Sequence, residues 1–208
     1  MSQKARSPQV SGVVLAGGES RRLGRNKALE HIRGRTLIER VIEGIAPLTA
    51  EVIVVAGSPA QAATLPPMPD VQLVSDRYPG CGSLGGIFTG LSASRDPWVL
   101  VVACDMPFLN PRLLRRLMAM RRDVDAVIPR LKGQPEPLHA LYSKTCLGPM
   151  ERMLQAEQLK IAPLFEQVRV RYVDEATIDR IDPDHRSFFN INSPTDLEEA
   201  LNLPDRPL

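Results

Sequence analysis

Three stretches of this chain, Val10–Leu15, Val52–Ala56 and Trp98–Ala103, are dominated by aliphatic side chains with almost no polar alternation. A strand with one wet face alternates apolar and polar residues. A strand covered on both faces has no reason to. The runs therefore read as parallel strands buried between helices, and helix-like segments do separate them. The pattern predicts an α/β fold: a doubly wound, mostly parallel Rossmann-like sheet with helices on both faces. Ligands of such sheets bind outside the carboxyl ends of the strands. Gly17, Asp76 and Asp105 each fall just past a predicted strand end, so the fold class sets all three on one rim.

The first of these strand ends carries the densest chemistry. Gly17 and Gly18 follow Leu15 and Ala16, and Gly24 and Lys27 come soon after. Arg21, Arg22, Arg25 and Lys27 lie among residues 19–27, against the single acid Glu19. Glycines let backbone N–H groups approach an anion closely, and the cations neutralise it, so this is a phosphate cradle. This loop matches neither G-x-x-x-x-G-K-[ST] nor G-x-G-x-x-G, so it is neither a P-loop nor a dinucleotide fingerprint. Lys27 is expected to reach a phosphate, because a point charge on a flexible stem can follow a moving anion. The bland reading of the arginines is a solvated loop face.

Asp105 ends an apolar run, where a carboxylate is costly unless paired. Mg²⁺ bridging phosphate oxygens is its natural partner, and capping of the Met106-Pro107 turn is the alternative. Asp76 reads as a ligand contact or as a turn carboxylate. Cys104 invites a nucleophile reading with His139 as base, but a small buried hydrophobe at a strand end is the simpler account. Asn190 and Asn192, two apart on an expected strand, would present both amides on one face.

Composition narrows the field. A chain of 208 residues with 43% hydrophobic side chains suffices for one packed α/β domain, and 1–208 is read as a single domain without a linker. A net charge of +2 with 4% aromatics lacks the basic surface of a nucleic-acid binder. No run is long and apolar enough for a membrane span. Three scattered cysteines favour a reducing compartment, hence the cytoplasm. Helix starts are expected at Thr36 with Glu39 as a capping box, at Asn110-Pro111 and at Ser193 with Asp196. Further helices are expected over 86–93, 111–121 and 150–157, and shorter strands over 71–74, 126–128, 138–142 and 169–173.

Four segments together resemble the nucleotidyltransferase family of molybdenum cofactor guanylyltransferases. They are Leu15-Ala16-Gly17-Gly18 with Gly24 and Lys27; Ser75-Asp76 with the glycine-rich segment 78–86; Cys104-Asp105-Met106-Pro107-Phe108-Leu109; and Asn190-Ile191-Asn192-Ser193-Pro194. They occur in the family's order and span most of the chain. Ser83 stands where that family usually has Pro, Leu23 where Met is commoner, and 54–57 lacks an Asn often found there.

The resemblance implies a nucleotidyltransferase-type fold with a nucleotide-binding half at about 10–125 and an acceptor-binding half at about 126–201. It implies GMP transfer from GTP to the phosphate of molybdopterin. Arg22, Lys27 and Asp105 would serve catalysis. Leu15, Ala16, Gly17, Gly18, Lys27, Asp76 and Asp105 would bind the nucleotide, Asn190 and Asn192 the acceptor, and Asp105 the Mg²⁺. Molybdoenzyme maturation proteins are the implied protein partners. The alternatives are a cytidylyltransferase for the same cofactor, another sugar- or cobinamide-phosphate nucleotidyltransferase, and a non-catalytic GTP-binding adaptor.

Overall fold

A computed structural model describes residues 10–17 and 26–204. Its strands in chain order are β1 (Val10–Leu15), the short pair β2 (His31–Ile32) and β3 (Arg35–Thr36), β4 (Val52–Ala56), β5 (Val71–Ser75), β6 (Trp98–Ala103), β7 (Ala126–Leu131), β8 (Gln134–Pro135), β9 (His139–Ser143) and β10 (Val170–Val173). The helices are α1 (Leu37–Ile45), α2 (Pro59–Ala62), α3 (Gly82–Ala93), α4 (Pro111–Ala119), α5 (Leu147–Gln155), α6 (Glu175–Asp179) and α7 (Pro194–Asn202).

One sheet takes the order β10-β7-β9-β6-β1-β4-β5, with β8 paired to β7. Strands β5, β4, β1 and β6 are mutually parallel in register, and β10 is parallel to β7. Strand β9 runs against both β6 and β7. The expected doubly wound, mostly parallel sheet is present, with β9 inserted antiparallel between β6 and β7 and β8 antiparallel to β7.

Alternate residues of the same strand feed two cores, which is why the runs lack polar alternation. Val14, Val54 and Leu100 pack with Ile38, Val41 and Ile45 of α1 and Leu113, Leu114 and Leu117 of α4. Val13, Ile53, Val55, Val99 and Val101 pack on the other face with Leu84, Ile87 and Leu91 of α3 and Met150 and Met153 of α5. At Gly90 helix α3 lies so close to β1 that a Cβ would come within 2.6 Å of Val13 Cγ1. Among the described residues no helix is long and apolar enough to cross a membrane.

The three expected caps form. Thr36 and Glu39 make a capping box for α1, Asn110 caps α4 with Pro111 in its first turn, and Ser193 with Asp196 boxes α7. Three boundaries move. Helix α3 begins at Gly82 rather than 86, because Leu84, Gly85 and Gly86 are buried against the sheet and packing overrides glycine's low helix propensity. Helix α5 begins at Leu147, where the turn Lys144–Cys146 feeds straight into it. Residues 190–192 form no strand. They are irregular, pinned by the Ile191 N–H on the Asp105 carbonyl at 3.0 Å and by Ile191 buried beside Ile32, Leu37, Phe108 and Ala200.

Candidate active site

After β1 the chain turns to β4 and β5 on one side, and then crosses to β6 on the other. The strand order reverses between β1 and β6, and that crevice is where an open α/β sheet receives a ligand. A cleft of about 670 Å³ opens there, lined by Leu15, Ala16 and Gly17 after β1, Gly57, Ser58 and Gln61 after β4, and Asp76 after β5. Gly80, Gly82, Ser83 and Gly86 add the start of α3, and Cys104, Asp105, Lys27 and Asn190 close the remaining side. The volume suits a small-molecule ligand.

Asp105 leaves the sheet at the end of β6, where the Cys104 N–H donates to the Leu15 carbonyl at 3.0 Å. Lys27 begins a short turn, Lys27–Leu29, whose preceding residue Asn26 accepts a hydrogen bond from the Ala28 N–H. The two meet across the cleft mouth, with Lys27 Nζ 3.4 Å from Asp105 Oδ2 and each side chain under one-fifth exposed. Lys27 Nζ also donates to Asn192 Oδ1. Asp105 Oδ1 is buried and has no hydrogen-bond partner among the described residues. An ionised oxygen left so costs about 1–3 kcal/mol or more, so the site is built to receive a donor or a cation there. Among the described residues no three His, Cys, Asp or Glu side chains cluster as a closed metal cage. A single carboxylate fits Mg²⁺, which binds through one or two carboxylates and completes its shell with water and phosphate oxygens.

Asp76 fulfils the turn role: its Oδ1 accepts from the Tyr78 N–H at 3.0 Å and the Thr89 hydroxyl at 2.8 Å, tying β5 to α3. Its residue still lines the cleft. Asn190 and Asn192 are not related by a strand, but they flank the inward-facing Ile191, and both reach the site. Asn190 is on the cleft wall and Asn192 on Lys27. Asp196 accepts from the Asn192 N–H, and chiefly that bond holds its carboxyl below the usual range, so α7 fixes the position of Asn192. Gly18 and Arg22 lie outside the described residues.

The nucleophile reading of Cys104 fails. Burial pushes its thiol up to about 12, with the Asp105 charge adding to the effect, so no thiolate is at hand at neutral pH. His139 is fully buried, with its ring centroid 4.5 Å from that of Phe188, and it packs rather than lining the cleft.

Two features escaped the sequence reading. The first is the N-terminus of α3, where the supposed glycine loop is the helix's own first turn and no side chain caps Cys81. Its free N–H groups and dipole face a cleft that would hold an anion. The second is Gln61, whose Nε2 donates to the Ala16 carbonyl at 2.6 Å and whose Oε1 accepts from the Gly57 N–H at 2.9 Å. The spacing Ser58-x-x-Gln61 is a capping-box signature and was the available signal. Its glutamine reaches one residue further back than the motif implies.

Comparison with known proteins agrees with this geometry. A family model described as a MobA-like NTP transferase domain matches residues 12–170. The chain is 38% identical over 192 residues to a probable molybdenum cofactor guanylyltransferase of Pelotomaculum thermopropionicum, covering 92% of each. It is 36% identical to the molybdenum cofactor guanylyltransferase of Desulfosudis oleivorans, covering 92% of this chain and 94% of that one. The crystal structure of molybdopterin-guanine dinucleotide biosynthesis protein A from Archaeoglobus fulgidus superposes with a TM-score of 0.80 at 33% identity, covering 91% and 96%. A 2-C-methyl-D-erythritol 4-phosphate cytidylyltransferase from Thermus thermophilus, at 21% identity and a TM-score of 0.67, shares the fold.

Proposed function

The chain belongs to the MobA-like NTP transferase family and is a nucleotidyltransferase, and from that premise we propose that it transfers GMP from GTP to the phosphate of molybdopterin. The products are molybdopterin guanine dinucleotide and pyrophosphate. One observation carries the reading: Lys27 and Asp105 meet at the mouth of the strand-end cleft, with Asp105 Oδ1 buried and unpartnered among the described residues. A cation for phosphate, and a carboxylate whose second oxygen has no partner among the described residues, are what a triphosphate with a divalent ion would complete. The full-length relatives named as guanylyltransferases select the substrate pair.

In this reaction an oxygen of the acceptor phosphate bonds to the α-phosphorus, and the bond from that phosphorus to the β-phosphate's bridging oxygen breaks. The attacking oxygen is already anionic, so no general base is required. This agrees with the inert Cys104 and the buried His139. The protein's task is to hold two repelling anions in line and to stabilise charge on the departing pyrophosphate. Lys27 and Arg22 serve that charge, and the first turn of α3 presents backbone N–H groups to it. Leu15, Ala16, Gly17, Gly18 and Asp76 form the nucleotide side, and Asn190 and Asn192 the acceptor side. Enzymes of this kind generally use a divalent metal. We assign Mg²⁺, with Asp105 as the side chain that would hold it, and its contribution when bound is charge neutralisation on the phosphate oxygens.

The same reading divides the single domain into a nucleotide half at about 10–125 and an acceptor half at about 126–201. It also places the enzyme in the cytoplasm, with molybdoenzyme maturation proteins rather than nucleic acid as its macromolecular partners.

The test is pyrophosphate release from each nucleoside triphosphate, with and without molybdopterin. Release from GTP that depends on molybdopterin is expected. Equal turnover of CTP and GTP overturns the guanylyl assignment in favour of a cytidylyltransferase. Tight GTP binding without release to any acceptor makes the protein a binder.

A further inference from the structure

We propose that Gln61 is the side chain by which the cleft distinguishes one nucleobase from another. The inference rests on the nucleotidyltransferase reading above and concerns how its base is selected. Backbone groups at the end of β1 are the obvious readers, but several are engaged. The Leu15 carbonyl accepts from the Cys104 N–H at 3.0 Å, and the Ala16 N–H donates to the Val55 carbonyl at 2.8 Å. The Ala16 carbonyl accepts from Gln61 Nε2 at 2.6 Å. Among the described residues of this wall, Gly17, the Ser58 hydroxyl and the unspent half of the Gln61 carboxamide remain to meet a ligand.

That carboxamide is locked. It sits at the third position of α2, and its backbone N–H donates to the Ser58 hydroxyl at 3.2 Å. Oε1 is tied to a backbone donor and Nε2 to a backbone acceptor. Turning the amide over would set oxygen against the Ala16 carbonyl and N–H against the Gly57 N–H. A free glutamine can rotate to suit either purine; this one cannot. The two strand ends it bridges are themselves in contact, since a Cβ on Gly57 would lie 2.7 Å from the Gly17 carbonyl oxygen. The clamp therefore holds its polarity without a loop movement.

A carboxamide has two N–H donors and an oxygen with two lone pairs. The clamp uses one of each, leaving one donor and one acceptor of fixed polarity on the cleft wall. Guanine carries an acceptor, O6, beside a donor, N1–H. Adenine and cytosine carry the reverse at the corresponding edge. A site that hydrogen-bonds one pattern rejects the other strongly, because its own groups stay unpaired. A locked amide in this cleft thus separates guanine from adenine and cytosine by polarity rather than by size.

The experiment compares kcat/KM for GTP, ATP, CTP and 2-aminopurine riboside triphosphate at saturating molybdopterin. The proteins are wild type, Gln61→Met and Gln61→Glu, with thermal melts alongside. Methionine keeps the volume and removes both polar atoms. Glutamate keeps the shape and removes the donor. Each variant is expected to lose at least about tenfold of the GTP-over-ATP preference and of the penalty for the analogue lacking O6 and N1–H. The proposal is overturned if a folded variant loses less than about tenfold of the wild-type GTP-over-ATP preference. Should either variant fail to fold, Gln61→Asn, an amide too short to span both partners, replaces it under the same criterion. A wild-type enzyme that prefers CTP overturns the guanylyl reading, whereas Gln61 is judged only by whether its replacement lowers the GTP-over-ATP preference by that factor.

Discussion

Replacing Asp105 by Asn separates a carboxylate kept for a ligand from one kept for the fold. Among the described residues Asp105 Oδ1 is buried without a partner, and Oδ2 has Lys27 at 3.4 Å. Asparagine keeps the shape and removes the charge. Relief of an unpaired buried charged oxygen is worth about 1–3 kcal/mol. The lost ion pair sits at a cleft mouth and offsets about 0–1 kcal/mol of that. The free protein should thus be no less stable than wild type, and more stable by up to about 3 kcal/mol. For a chain of this size each kcal/mol shifts Tm by about 2–4 °C. A turn cap predicts almost no change for this substitution, because Asn caps about as well as Asp, and a loss of about 1 kcal/mol for Asp105→Ala.

Activity should move the other way. On the proposed assignment this carboxylate would hold Mg²⁺, so its loss should remove several kcal/mol of transition-state charge stabilisation, a fall of roughly a hundredfold or more in kcat. The assays are a thermal melt of the free protein, a second melt with GTP and Mg²⁺, and pyrophosphate release at saturating Mg²⁺. Added GTP and Mg²⁺ should raise the wild-type Tm by more than that of Asp105→Asn. A variant that melts several degrees lower while turning over near-normally would show that Asp105 is a fold residue, and the metal assignment would fall with it.

Lys27→Ala and Arg22→Ala should each cut kcat by roughly a hundredfold, the scale of one preorganised donor, while GTP dissociation constants change far less; lost binding with unchanged kcat at saturation makes them anchors only. Cys104→Ala should turn over like wild type, since its thiol, pushed up to about 12 by burial, supplies no thiolate; loss of activity in a folded variant refutes the packing assignment. Far from the cleft, Asp125 accepts two hydrogen bonds from the Arg169 guanidinium and one from the Arg169 N–H, and the guanidinium holds its carboxyl well below the usual range. A depressed folded-state value stabilises above the unfolded value of about 4 and is lost as pH falls through the folded one. Asp125→Asn should therefore cost about 1–3 kcal/mol at pH 7 in denaturant melts, with the gap to wild type narrowing below about pH 4; a gap independent of pH refutes the linkage.

What could be read from the chain was what a few neighbouring residues decide. The aliphatic runs at Val10, Val52 and Trp98 became adjacent parallel strands because each residue's face is set by its own position in the pleat. Thr36 with Glu39, and Ser193 with Asp196, close their caps within three residues. The misreadings arose where distant packing overruled such local rules. Glycines 82 and 85 look like a loop until the sheet beneath them favours a helix. Asn190 and Asn192 look like a strand until Ile191 finds a backbone partner at Asp105. The strand at 139–143 gave no sign of its antiparallel direction, because burial on both faces erases the pattern that would carry it.

The site itself lies between these limits. Lys27 and Asp105 stand 78 positions apart, and Asn192 is 165 from Lys27. Their chemistry could be named in advance because each sits at a strand end or beside a cap, and the α/β fold sends strand ends to one rim. Their pairing could not, since it depends on where the turn at Lys27–Leu29 re-enters the cleft. Gln61 is the sharper case. Its spacing to Ser58 says helix cap, yet its amide passes over the cap to join two strands. A residue that answers a local rule in sequence and a different partner in space can be recognised only once both strand ends are in place.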